Sequence, residues 1–155
     1  MAISGRVYTA SFTNVTISAA QDIFMLTTSA SRMIAILSVN LGQQTATSIA
    51  NQRLRLQRLN STVVGSGGAT VTATPWVLND AASTTTVRAN DTTQTTVTGV
   101  DLWDDQWNVL NGFLWIPPTP NRPPVIGPGQ SFRVSLDTAP SSLVSEGSIT
   151  FEELP

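Results

Sequence analysis

Apolar and polar positions alternate through most of this chain. In Ser131-Phe132-Arg133-Val134-Ser135-Leu136, the residues Phe132, Val134 and Leu136 fall on one side and Ser131, Arg133 and Ser135 on the other. That period of two marks a strand with two unlike faces. Ser148-Ile149-Thr150-Phe151-Glu152 repeats it with Ile149 and Phe151 inward, and Arg53-Leu54-Arg55-Leu56-Gln57 with Leu54 and Leu56 inward. Residues 5–12, 22–28, 70–77 and 112–116 read as further strands, with weaker ones over 84–88 and 95–100. Turn chemistry separates them: Ser66-Gly67-Gly68, Asn79-Asp80, Asn90-Asp91, Pro117-Pro118-Thr119-Pro120 and Gly127-Pro128-Gly129. The pattern predicts a single all-β domain over 1–155, an antiparallel sandwich or barrel of about eight to ten short strands.

Two segments depart from simple alternation. Residues 101–109 are the best helical candidate, with Asp101 placed to cap the first turn. Over 33–41, Met33, Ala35, Leu37, Val39 and Leu41 form one apolar face while Ile34 and Ile36 make the other apolar too. Such a run fits a central strand covered on both sides within one subunit, or a strand with one face in a subunit interface. The Thr-rich stretch 83–98, interrupted by Val87 and Val97, reads as a hairpin or exposed loop.

Composition narrows the chemistry. The 155 residues include no His, no Cys and no Lys, and all eight basic residues are Arg. The commonest general base, the thiol nucleophile and the Schiff-base amine are therefore missing. Without His or Cys, zinc and copper sites are not expected. Asp101-Leu102-Trp103-Asp104-Asp105 lacks the alternating oxygen ligands and central Gly of a calcium loop. Gly65-Ser66-Gly67-Gly68 precedes strand-like residues rather than a helix or Lys, so it reads as a turn and not a phosphate loop. No metal and no cofactor are expected. Paired carboxylates remain (Asp101, Asp104 and Asp105; Glu152 and Glu153), read as a solvated acidic loop and a charged C-terminal edge rather than a hydrolytic dyad.

Net charge is −2, which disfavours nucleic acid as a partner. The first residues lack the apolar core of a secretory signal, and no run reaches the length of a membrane span. A soluble protein made in the cytoplasm, with no membrane partner, is the expectation. The sequons at Asn14, Asn60 and Asn90 are discounted as chance in so Thr-rich a chain.

Three groups are candidate partner contacts. Arg53, Arg55 and Arg58 form the basic cluster, with Arg53 and Arg55 on one strand face. They suit either a solvated face or a ladder against an acidic partner, whose carboxylates match the guanidinium fork. Met33 and Leu37 stand for the apolar run. Trp103 and Trp107, grouped with Phe113 and Trp115, suit core packing, an interface anchor or a sugar-stacking platform. Finally, open sheets protect their edges, often with Lys. A chain without Lys and with few strand charges is expected to cover its edges by assembly.

The strand pattern resembles small jelly-roll virion proteins of tailed bacteriophages. The residues that carry the resemblance are Ile3-Ser4-Gly5-Arg6-Val7-Tyr8-Thr9-Ala10-Ser11-Phe12 and Ala20-Gln21-Asp22-Ile23-Phe24 at the start. Trp107 to Pro117 with Arg122-Pro123 carry it in the middle. At the end they are residues 131–136, Ala139-Pro140 and Gly147-Ser148-Ile149-Thr150-Phe151-Glu152-Glu153. The resemblance implies a jelly-roll capsid decoration (cement) protein with no catalytic residues. It also implies that the major capsid protein is the partner, that a homo-oligomer, commonly a trimer, is the working unit, and that the protein sits on the virion's outer surface. Other virion stations (tail, baseplate or head fibre) and a carbohydrate-binding sandwich are the rival expectations.

Overall fold

The computed structural model describes residues 5–46, 51–119, 121–138, 140 and 143–155, and among them twelve strands and no helix. The strands are β1 (Arg6–Ile17), β2 (Gln21–Thr27), β3 (Met33–Ala46), β4 (Asn51–Leu59), β5 (Ala69–Val71) and β6 (Thr74–Pro75). They continue with β7 (Thr86–Asp91), β8 (Val100–Asn108), β9 (Phe113–Trp115), β10 (Val125–Ile126), β11 (Ser131–Leu136) and β12 (Leu143–Leu154). Ile3, Ser4, Pro120 and Ala139, quoted above, lie outside the described residues.

The strands form two antiparallel sheets. One runs β10-β3-β12-β1-β6, with β9 also paired to β3; the other runs β5-β7-β2-β11-β4-β8. The expected all-β sandwich is present. Between the sheets lies one core that includes Tyr8, Phe12, Phe24, Leu26, Leu54, Leu56, Phe132, Val134, Ile149 and Phe151. Phe132, Val134 and Leu136 are fully buried, as are Ile149 and Phe151. Each such side chain contributes about 1.5–3 kcal/mol by leaving water. Tyr8 and Phe151 stack at 5.6 Å across the β1–β12 pair.

Several expectations are corrected. Residues 101–109 are not helical: most belong to β8, an exposed edge strand whose polar positions obscured its period. Residues 95–99 form no strand but a cover over the second sheet; β8 begins only at Val100. Residues 70–77 are two strands in different sheets, β5 in the second and β6 in the first. Asn90-Asp91 is no turn; both residues belong to β7, where Asn90 takes a φ of 59° and accepts a hydrogen bond from Gln21 Nε2 at 3.0 Å.

Residues 33–41 also differ from simple alternation. Ile36 opposes Phe151 and Ser38 opposes Thr150, so Leu37 is an extra residue in a β-bulge. The bulge shifts the inward set, and the core receives Ile34, Ile36, Val39 and Leu41. Leu37 and Met33 are half-buried.

The edges are guarded without Lys. β5, β6, β9 and β10 are two or three residues each, too short to template much pairing. The longer edge strand β8 carries Asp101, Asp104 and Asp105. Asp105 opposes the core residue Leu54, and by register shares its side of β8 with Trp103 and Trp107. It is an inward-pointing edge charge, one of the devices that blocks edge-to-edge growth.

Candidate functional site

The chemistry-bearing side chains gather on the face of the second sheet that turns away from the other sheet. On β4, residues opposite Leu54 and Leu56 in sense, namely Arg53, Arg55 and Gln57, point there. On β11 the same side carries Ser131, Arg133 and Ser135, opposite Leu59, Gln57 and Arg55. Arg58 is in step with Leu54 and Leu56, so it lies on the other side from Arg53 and Arg55. It is exposed and makes no ion pair among the described residues.

A bulge supplies the acids. Leu56 opposes Trp103 and Gln57 opposes Asp101, leaving Leu102 unpaired in β8. Without that extra residue Asp101 would share the side of Trp103 and Asp105. With it, Asp101 joins Asp104 on the arginine side. Each arginine then reaches diagonally. Arg53 Nε donates to Asp104 Oδ1 at 2.9 Å. Arg55 Nε and Nη2 donate to Asp101 Oδ1 and Oδ2 at 3.0 and 3.1 Å, and its Nη1 donates to Asp137 Oδ2 at 3.1 Å. The acidic surface that Arg53 and Arg55 face is therefore within this chain.

The network continues inward. Gln57 Nε2 donates to Asp101 Oδ1 at 2.8 Å, and Arg133 Nε donates to Gln57 Oε1 at 2.8 Å. Asp22 Oδ2 accepts from the Thr95 amide at 2.9 Å, while Oδ1 faces Arg133 Nε at 3.7 Å with no hydrogen bond. Residues 94–99 lie over this face: Arg133 Nη1 donates to Thr95 O at 3.3 Å and Gln94 Nε2 to Leu136 O at 3.3 Å. Residues 61–68 press beside them, with Thr95 Oγ1 donating to Val63 O and Ser131 Oγ to Ser61 O. Gly65 is needed there, since a Cβ would sit 2.3 Å from Thr93 O. A recess of about 400 Å³ stays open between Arg55, Gln57, Arg133, Asp137 and residues 94–99.

Electrostatics separate the acids. The Arg55 guanidinium holds the Asp101 carboxyl below the ordinary carboxylate range, and Arg53 does the same for Asp104. Both are the wrong acids for protonating a leaving group, which needs a raised pKa. Burial pushes Asp22 up to about 6, against the Thr95 amide and Arg133, which favour its charge. Its side chain is fully buried, beyond a substrate's reach. Ser135 Oγ donates to Asp137 Oδ1 at 3.1 Å, but Asp137 is already engaged by Arg55. The arrangement clamps strands together; it offers no poised proton donor.

The tryptophans lie at the sandwich rim. Trp107 is buried, with Nε1 donating to Asn111 O at 2.8 Å. Trp103 is half-buried and packs on Phe113 at 5.1 Å; Trp107 meets the same ring at 6.4 Å. This trio closes the gap between β8 of one sheet and β9 of the other.

Glu152 and Glu153, expected at a charged C-terminal edge, are instead buried on β12, which lies between β3 and β1. Glu153 Oε1 accepts from the Thr84 and Thr85 amides at 2.8 and 2.7 Å and from the Ser83 and Thr85 hydroxyls at 2.7 and 2.8 Å. Burial raises the Glu153 carboxyl, but these bonds together outweigh it and hold the group below its ordinary value. The run Ser83-Thr84-Thr85 was the available signal, since three hydroxyls in a row suit a carboxylate acceptor. Compared with protein-family models, curated proteins and solved structures, the chain matches none of them.

Proposed function

We propose that this chain is a structural virion protein: a jelly-roll decoration (cement) protein that binds the outer surface of a phage head. Its partner is the major capsid protein, whose subunit contacts it reinforces, and its working form is a homo-oligomer, a trimer by the resemblance. It performs no catalysis.

The strand order is the observation that carries this reading. Set aside β5, β6 and β7, and count β9 with β10 as one strand. Eight strands remain, and the first sheet runs first, eighth, third, sixth while the second runs second, seventh, fourth, fifth. That order supports a jelly-roll reading, an architecture found in viral capsid and lectin domains. The longer segments that carry the family resemblance fall largely on β1, β2, β8, β9, β11 and β12, while Arg122-Pro123 lies between β9 and β10.

Fold alone does not assign function; the virion setting rests on the resemblance. A stiff sandwich laid across a junction between capsid subunits stabilises it by burying apolar area, at about 25 cal/mol per Å², less the cost of association. The test is to add the purified protein to undecorated mature shells and sediment them. Saturable co-sedimentation, with shells that resist heat better once loaded, is expected. A protein that stays in the supernatant at every concentration would overturn the reading.

A further inference from the structure

Resting on the homo-oligomer proposed above, we infer that the first sheet carries two different, mutually complementary patches, one at each edge, through which one copy of this chain binds the next head to tail. At one edge, the loop after β6 presents three consecutive apolar side chains to solvent: Trp76, Val77 and Leu78, 68%, 61% and 93% exposed. At the opposite edge, Leu114, Ile116 and Val125 on and beside β9 and β10 are 63%, 54% and 43% exposed. Scattered single apolar residues need no explanation, but two groups of three do.

Their placement argues for a second copy as the occupant. β6 pairs β1 at Tyr8 and Thr9, which oppose Phe151 and Thr150 of β12, which in turn oppose Ile36 and Ser38 of β3. On the far edge of β3, β10 pairs Ile34 and Ala35, and β9 pairs Val39 to Leu41. The row that starts at β6 therefore ends between β10 and β9. A copy set beside the first in the plane of the sheet brings its Trp76–Leu78 loop against the neighbour's Leu114, Ile116 and Val125.

The loop is firmly held, as a docking knob must be. Trp76 Nε1 donates to Thr9 Oγ1 at 2.8 Å, the Trp76 amide to Val7 O at 2.9 Å, and the Asp80 amide to Val77 O at 3.0 Å. Charged groups rim both patches. Asp80 closes the knob loop, with Arg6 at 3.7 Å as its partner. Arg122 stands between β9 and β10, exposed, and makes no ion pair among the described residues. Six apolar side chains form a sufficient centre for an interface of about 800 Å² per partner, with the polar rim supplying the rest. Because the two patches differ, the contact is heterologous, and repetition generates a ring if the rotation closes.

The experiment uses two surface variants, Leu78→Glu and Ile116→Arg, with sedimentation velocity across a dilution series. Both positions are exposed, and unchanged thermal unfolding confirms that each variant folds. The wild type is expected to associate in a concentration-dependent way, and each variant alone to be monomeric. An equimolar mixture is expected to give a 1:1 dimer that grows no further, because one intact knob meets one intact socket. Wild type that stays monomeric at every concentration, variants that associate like wild type, or a mixture that remains monomeric would each overturn the inference. No capsid is present, so the outcome is independent of shell binding.

Discussion

Arg133 and Asp22 form a buried ion pair with Arg133 Nε 3.7 Å from Asp22 Oδ1, yet the guanidinium gives its Nε hydrogen bond to Gln57 instead. Asp22 is thus a buried carboxylate that its nearest cation does not fully satisfy.

The consequence is a stability that falls as pH rises through the Asp22 window. The folded carboxyl sits at about 6 against an ordinary 3.8. Between those values the folded state holds a proton that the unfolded state has lost, so this group's contribution is greatest below the window and declines through it. Thermal unfolding followed from about pH 4 to pH 6 is expected to show that slope in the wild type. Asp22→Asn, whose side-chain oxygen keeps the Thr95 bond, is expected to flatten it. The same slope in both proteins would contradict the assignment.

Glu153, Asp101 and Asp104 act in the opposite sense at lower pH. Their carboxyls are held below their ordinary values. Their contribution is therefore present at neutral pH and lost as pH falls through the folded values. Glu153→Ala is expected to cost about 1–3 kcal/mol in urea unfolding, since it strands the buried Thr85 amide and hydroxyl, which now bond to one carboxylate oxygen. Hydrogen exchange at the Thr85 amide is expected to quicken in parallel.

The ladder of Arg53 and Arg55 is graded by exposure. Arg55, 21% exposed and bonded to both Asp101 and Asp137, is expected to cost about 1 kcal/mol on change to Met, allowing for solvent screening. Arg53 is 46% exposed, so Arg53→Met is expected to cost less, and its effect to vanish first as salt is added. Urea unfolding at two ionic strengths checks both.

Asp105 guards β8 rather than holding it. Asp105→Val is expected to leave monomer stability within about 0.5 kcal/mol while exposing an edge whose inward side becomes uniformly apolar between Trp103 and Trp107. Light scattering during slow heating is expected to rise earlier in the variant than in the wild type.

These outcomes show where the sequence speaks and where it is silent. β11 and β12 were legible because Phe132, Val134, Leu136, Ile149 and Phe151 keep a strict period against one core. β8 was not, because an edge strand of Asp and Gln has no apolar period, and Trp103 and Trp107 stand four apart as on a helix. Two inserted residues each hid a further feature: Leu37 shifts the inward set of β3, and Leu102 carries Asp101 across to the arginines. The polar side of β11 is buried as deeply as its apolar side: Ser131, Arg133 and Ser135 lie beneath uncharged loops from elsewhere in the chain. Local pattern does not encode such long-range cover. The basic cluster was visible as sequence; its acidic partners, contributed by β8 and Asp137, were not.

The most direct measurement of the central claim is an electron-microscopy map of the particle that carries this chain. Density fitting the two-sheet domain at three-fold or quasi-three-fold positions on the outer head surface, in contact with major capsid subunits, is the expected result. Density confined to the tail or baseplate would contradict it.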